Sequence, residues 1–138
     1  MKNLLIFFLS LLLFSCRSGN NFDKKYFKDV SGVQVPKNYD VIETYDNAEF
    51  VTGVTLRMDK KTLVDFLNAN KFKIVKNDFS FPQLMGEAYL KKEKPPKIGK
   101  KGILFLTGHN EKRNWLYIAD TTNNLLWAEI RYPDWGGN

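Results

Sequence analysis

The residues that could do covalent chemistry are few, because the chain has one cysteine, Cys16, and one histidine, His109. A lone cysteine excludes a disulfide within the chain, and together with a lone histidine it cannot supply the ligands of a Cys/His zinc site. We therefore expect no cofactor and no metal. Ser18, Ser31 and Ser80 follow the first fifteen residues, and none lies in a nucleophile-elbow or Ser-x-x-Lys motif.

His109 is the residue on which an enzymatic interpretation would depend. It lies in Gly108-His109-Asn110, a segment typical of a hairpin loop. A general base there needs an orienting or reacting partner close in space, such as the carboxylate of Asp120. A solvated loop histidine is the simpler interpretation, so we expect a protein without catalytic activity and keep a small hydrolase as the alternative.

Acidic residues cluster around the first predicted hairpin, at Asp40, Glu43, Asp46 and Glu49. Paired carboxylates can hydrolyse glycosides when a cleft holds them about 5–9 Å apart. These four lie on a two-strand ribbon of a small domain, and they lack the loop pattern of an EF-hand calcium site. We expect a solvated hairpin rim.

The densest run of charge is a set of six lysines that surrounds a single acid, Glu93. It suggests an anion patch for phosphate groups on lipid or lipopolysaccharide. The alternative is a flexible loop that its lysines keep soluble, with Pro95-Pro96 holding it extended. The lysines are Lys91, Lys92, Lys94, Lys97, Lys100 and Lys101.

Large aromatic residues are concentrated in the C-terminal strands. If the aliphatic side chains of both strands face the core, then Trp115, Tyr117 and Trp127 form an aromatic row on the other face, beside Arg131. Exposed Trp, Tyr and Arg are typical of protein interfaces and sugar-binding faces. The alternative is that the N-terminal segment or the region 76–90 covers this face and buries the rings.

The N-terminus has the pattern of a bacterial signal peptide. Lys2 is followed by an apolar run from Leu4 to Phe14, which is far shorter than the roughly 20 residues of a membrane-spanning helix. Leu13-Phe14-Ser15-Cys16 resembles the bacterial lipobox, Leu-x-small-Cys. The resemblance covers residues 1–16 only, and it implies thioether lipidation of Cys16, cleavage before it and acylation of its new amine.

This resemblance implies a lipoprotein of the cell envelope. We expect it in the outer membrane, facing the periplasm, because no Asp follows Cys16 and no acidic export cluster is present. Removal of residues 1–15 takes one of the 21 basic residues and none of the 15 acidic ones, which leaves a net charge of +5. Anionic partners are favoured by charge, and nucleic acid is excluded by the compartment.

The elements that position these residues are predicted from periodicity and turn signals. Residues 16–21 are expected to be a lipidated cysteine and tether, and residues 22–138 a single globular domain. We predict an α+β fold, an antiparallel sheet of about five or six strands with one principal helix, about 60–69, packed on it. Its parts are a hairpin of 39–45 and 49–58, a strand at 72–75, and a meander of 103–107, 115–119 and 125–132; helical turns are possible at 22–29 and 82–90.

Together these features predict a lipid-anchored binding domain of the envelope without catalytic activity, with a protein or an envelope component as its partner. A more specific version is an immunity or inhibitor lipoprotein against a toxin or hydrolase. The rival from another class is a small envelope hydrolase that uses His109. The sequence leaves the oligomeric state open.

Overall fold

The computed structural model describes residues 22–74, 83–96 and 100–132. Within these ranges the chain forms two α-helices and six strands, with a 3-10 turn at Glu87–Tyr89. In chain order they are α1 (Lys24–Ser31), β1 (Asp40–Asp46), β2 (Val51–Arg57), α2 (Lys60–Ala69), β3 (Lys73–Ile74), β4 (Ile103–His109), β5 (Asn114–Asp120) and β6 (Leu125–Arg131). The predicted signal segment, Cys16 and the tether lie outside the described residues.

The six strands form one antiparallel sheet in the order β1-β2-β6-β5-β4-β3. The β1–β2 hairpin and the β4–β5–β6 meander confirm the sequence-based prediction. The two units meet where β6 lies beside β2, with Val54 opposite Ala128. This pairing places β2 and β6 inside the sheet beside β5, and these three strands carry the most buried side chains.

Helix α2 has the bounds that the sequence predicts. Asp59 accepts a 2.9 Å hydrogen bond from the backbone N–H of Thr62 and so satisfies one amide at the start of the helix. At the other end, Asn70 donates from its side chain to the carbonyl of Phe66. The apolar stripe of Leu63, Phe66 and Leu67 is buried against the sheet.

A second helix, α1, lies on the same side of the sheet, so the prediction of one principal helix is incomplete. Asp23 caps its start by accepting from the N–H of Tyr26. Gly32 ends it in the left-handed conformation, with φ of 72°. Its apolar content is small, but Phe27 is buried and joins the core that α2 also covers.

The sheet is buried on both faces. Under the helices lies one core, which contains Leu56, Tyr117 and Ile130. The other face carries a second core, with Ile118 and Trp127, and the segment 83–96 packs over it through Leu84 and Leu90. We call residues 83–96 the strap. The predicted helix at 82–90 is reduced in the strap to the single 3-10 turn.

Candidate functional site

The predicted aromatic row does not exist, because its members lie on opposite faces of the sheet. Residues that oppose each other across antiparallel strands share a face. Tyr117 opposes Ala128 under the helices, whereas Trp127 opposes Ile118 under the strap. The prediction was wrong because it assumed that the aliphatic positions of β5 and β6 share one face. The register instead places Ile118 with Trp127.

The rings of this predicted site are packing residues in the structure. Tyr117 is 0% exposed and Trp127 is 1% exposed. The hydroxyl of Tyr117 lies 2.9 Å from Oγ of Ser31, and burial raises the pKa of Tyr117 to about 12. Trp115 is half-buried and packs over Gly108. These positions explain the aromatic content of the C-terminal strands without a ligand.

A buried carboxylate, Glu129, holds the start of the strap on the sheet. Its side chain has no exposed surface and accepts four hydrogen bonds. Oε2 accepts from the hydroxyl of Tyr45 at 2.7 Å and from the N–H of Gly86 at 2.8 Å. Oε1 accepts from the N–H of Met85 at 2.9 Å and from Nε of Arg131 at 2.5 Å. The charge is thus paired and its lone pairs are used, as a buried carboxylate requires.

A second carboxylate, Glu43, holds the other half of the strap. It accepts hydrogen bonds from the backbone N–H groups of Lys91, Lys92 and Glu93 at 2.9–3.2 Å. Burial alone would raise the pKa of Glu43, but these three N–H groups outweigh it and hold the pKa below its usual range. Nearby, the indole N–H of Trp127 donates to the carbonyl of Glu93 at 3.0 Å.

Tyr45 fills the space between the hairpin and the strap. A Cβ atom on Gly53 or on Gly86 would lie 2.1 Å from its ring, so both positions depend on the absence of a side chain. Burial raises the pKa of Tyr45 far above its ordinary value, and the negative charge of Glu129 adds to this. The phenol therefore stays protonated and donates to Glu129.

Sequence reasoning did not identify Glu43 and Glu129 as the residues that fix the strap. Glu43 was assigned to a solvated rim with Asp40, Asp46 and Glu49, which the structure does leave exposed. A signal was present at Glu129, which shares a strand face with Leu125 and Trp127. A carboxylate in that position is expected to have buried partners.

The outer surface of the strap combines apolar side chains with lysines. Met85 is 59% exposed and Tyr89 is 50% exposed, although the Tyr89 ring stacks on Tyr45 with centroids 6.1 Å apart. Of the predicted anion patch, the structure shows Lys91, Lys92, Lys94, Lys100 and Lys101 as exposed. Lys97 lies outside the described residues. Glu93, the one acid in the run, forms an ion pair with Arg57 at 2.9 Å.

His109 and Asp120 lie at opposite ends of the β4–β5 ribbon, so the structure does not bring them together. His109 is opposite Asn114, and Asp120 is opposite Ile103. Asn114 and Asp120 are separated by six residue steps along the strand, which correspond to about 20 Å. Asp120 instead accepts from the backbone N–H groups of Thr122 and Asn123 and stabilises the β5–β6 turn.

Two further features of the described residues bear on function. No group of three or more His, Cys, Asp or Glu side chains within them is arranged to hold a metal ion. No helix among the described elements is long and apolar enough to span a bilayer.

Compared with known proteins, the chain matches no family model, no curated protein and no solved structure.

Proposed function

We propose that this protein is a lipid-anchored, non-catalytic domain of the bacterial cell envelope that binds anionic envelope components through the strap. In this proposal residues 1–15 are removed, Cys16 carries the lipid, and the domain faces the periplasm from the outer membrane. The resemblance of residues 13–16 to the lipobox supports the anchor. Two or three acyl chains, at about 0.8 kcal/mol per buried methylene, give durable attachment.

One observation carries the choice of surface: exposed Met85 and Tyr89 belong to the same short segment as three exposed lysines, and two buried carboxylates hold that segment on the sheet. Apolar side chains beside ammonium groups suit an interface of acyl chains and phosphate groups. Because Glu43 and Glu129 fix the backbone of the strap, little ordering is needed on binding. The predicted exposed aromatic row was the reason to favour a protein partner. Because Tyr117 and Trp127 are buried on opposite faces of the sheet, that reason no longer applies.

The free energy that the strap lysines can contribute to membrane binding agrees with a role that depends on the lipid anchor. A lysine near an anionic surface contributes about 1 kcal/mol, so Lys91, Lys92 and Lys94 together contribute about 3 kcal/mol. That is weak binding for a free domain. On a tethered domain the effective concentration of membrane is high, and the same energy is enough to orient the strap toward the surface.

The test uses the chain from Phe22 onward, because both cores are drawn from residues between Phe27 and Ile130. Binding to phosphatidylglycerol vesicles is measured by co-sedimentation at about 50 mM and about 500 mM salt, since screening weakens charge attraction. Substitution of Lys91, Lys92 and Lys94 by Gln removes about 3 kcal/mol and should lower the low-salt partition coefficient about 150-fold.

The matched control replaces three exposed lysines of α1, Lys24, Lys25 and Lys28, by Gln. It removes the same charge from the other layer of the domain, and it should lower the partition coefficient less than about threefold. Equal losses in the two triple variants would refute a specific strap surface. Capture of one envelope protein at high salt, with no vesicle binding, would replace the proposal with a protein partner.

The non-catalytic part of the proposal has its own test. The histidine on which the hydrolase alternative depends lies far from Asp120, at an exposed strand end. A strain that carries His109→Ala should keep the full cellular effect of the wild-type protein. Loss of that effect, at unchanged protein level and thermal stability, would restore the enzymatic alternative.

A further inference from the structure

A pocket of about 280 Å³ lies between the start of α1, the β1–β2 hairpin and the residue that follows β6. Phe22, Tyr26 and Phe27 of its wall pack in the core under the helices, whereas Tyr45, which also lines it, belongs to the core under the strap. Its volume is close to the lower end of small-molecule pockets. It can therefore admit a small organic group or the end of a longer molecule.

Four aromatic side chains form much of the wall: Phe22, Tyr26, Phe27 and Tyr132. Their positions are fixed by contacts with one another. The rings of Phe22 and Phe27 meet edge to face at 5.1 Å, and those of Tyr26 and Phe27 at 6.1 Å. The hydroxyls of Tyr26 and Tyr132 are 2.9 Å apart. Aromatic walls of this kind attract cations through the negative faces of their rings.

The charged side chains that line the pocket are both acidic, Asp23 and Asp46. Oδ1 of Asp23 accepts from the backbone N–H of Tyr26 at 3.0 Å, and Oδ1 of Asp46 accepts from the backbone N–H of Ala48 at 2.7 Å. Among the described residues, no hydrogen bond involves Oδ2 of either one. In a chain of net charge +6, this pocket therefore has a local charge of opposite sign and two carboxylate oxygens able to accept from a ligand.

Two neighbouring cations, Lys25 and Arg113, have partners of their own. Lys25 forms an exposed ion pair with Asp29, and the guanidinium of Arg113 lies 4.1 Å from the centre of the Tyr132 ring. The partial positive charge at the start of α1 opposes a cation, but α1 has only eight residues and Asp23 caps that end. Two full negative charges outweigh it.

We propose that this pocket binds a small organic ammonium ion. Asp23 and Asp46 supply the charge, and the rings of Tyr26 and Tyr132 contact the methyl or methylene groups that carry the positive charge. A neutral molecule of the same shape gains no Coulomb attraction, and an anion is repelled. The ammonium group can belong to a free amine or to a zwitterionic lipid head group, which share this chemistry.

The experiment uses the chain from Phe22 onward and follows its NMR amide resonances during titration. Choline and ethanolamine are the probes, and dimethylbutanol is the uncharged isostere of choline. The proposal predicts saturable shifts at residues around the pocket, with dimethylbutanol at least about tenfold weaker. A second arm compares vesicles of phosphatidylethanolamine with free ethanolamine, and saturable binding from either source supports the pocket.

The decisive variant is Asp23→Asn with Asp46→Asn. Asn is as good a helix cap as Asp and can still accept from both backbone N–H groups, so the fold is retained while two charges are lost. Choline should bind about fivefold to tenfold more weakly to this variant. Asp65→Asn, an exposed carboxylate on α2, is the control and should bind as the wild type does. Unchanged affinity in the double variant, equal binding of the isostere, or no saturable binding from either source would overturn the proposal.

Discussion

The hydroxyl of Tyr45 donates a 2.7 Å hydrogen bond to Oε2 of Glu129, a side chain that has no exposed surface. This bond links the first hairpin to the last strand, and the same carboxylate also accepts from the strap at Gly86. One buried charge therefore joins three parts of the chain that are distant in sequence. The position of the proposed binding surface depends on it.

Glu129→Gln should be strongly destabilising. The substitution replaces one oxygen of a carboxylate that accepts four hydrogen bonds by an NH₂ group, which cannot accept from the strap N–H and from the Tyr45 hydroxyl or Nε of Arg131 that donate to that oxygen. Because buried donors are left without an acceptor, we expect the free energy of unfolding to fall by about 3 kcal/mol. Urea unfolding measures it, with exposed Glu111→Gln as the control. A loss below about 0.5 kcal/mol would mean that Glu129 does not fix the strap.

Gly86→Ala should destabilise the protein through Tyr45 alone. The added Cβ would lie 2.1 Å from the Tyr45 ring, whereas the backbone of Gly86, with φ of −87°, accepts any residue. The expected cost is about 1–3 kcal/mol. In a Tyr45→Ala background the same substitution should cost almost nothing. A double-mutant cycle measures the coupling, and additive effects would contradict a direct clash.

The strap should loosen in acid through Glu43. The folded-state pKa of Glu43 is lowered, so its contribution to stability is complete above the ordinary glutamate pKa and is lost as pH falls through the folded value. Unfolding free energy measured from about pH 6 to about pH 3 should therefore fall more in the wild type than in Glu43→Gln. Identical pH dependence in the two proteins would show that the N–H bonds to Glu43 do not stabilise its charged form.

Trp127→Phe should release the end of the strap without removing the core. The ring remains buried, but the indole N–H no longer donates to the carbonyl of Glu93. We expect a loss of about 1–2 kcal/mol in the free energy of unfolding and faster amide hydrogen exchange at residues 91–94. Trp127→Ala would leave a cavity in the core and lower the free energy of unfolding by about 3–5 kcal/mol. It therefore cannot serve as a test of a binding surface. Unchanged exchange in Trp127→Phe would show that this bond does not hold the strap.

The local elements could be predicted from the sequence because each has a local cause. Asp59 and the stripe at Leu63, Phe66 and Leu67 determine α2, and short alternating runs determine the hairpin and the meander. The pairing of β2 with β6 has no such cause, since it joins Val54 to Ala128 across 73 intervening residues. Without this pairing the burial of both sheet faces could not be foreseen.

The same reason explains the error over the aromatic row. Alternation along β5 and β6 defines two sets of side chains on each strand, but only the register says which sets share a face. The strap was harder still, because it has almost no regular structure and is fixed by two single carboxylates. Its lysines could be recognised as an exposed run from their number, whereas Met85 and Tyr89 gave no signal of exposure.

The most direct test of the strap as the membrane-facing surface is the environment of Met85 on a vesicle. The chain from Phe22 has no cysteine, so Met85→Cys can take a single environment-sensitive fluorophore. Val64→Cys on α2 is the matched control, because Val64 is also exposed but lies on the other layer. With phosphatidylglycerol vesicles at low salt, the label at position 85 should brighten and shift to the blue while the label at 64 stays unchanged. Equal shifts at both positions, or a shift at 64 alone, would contradict the account.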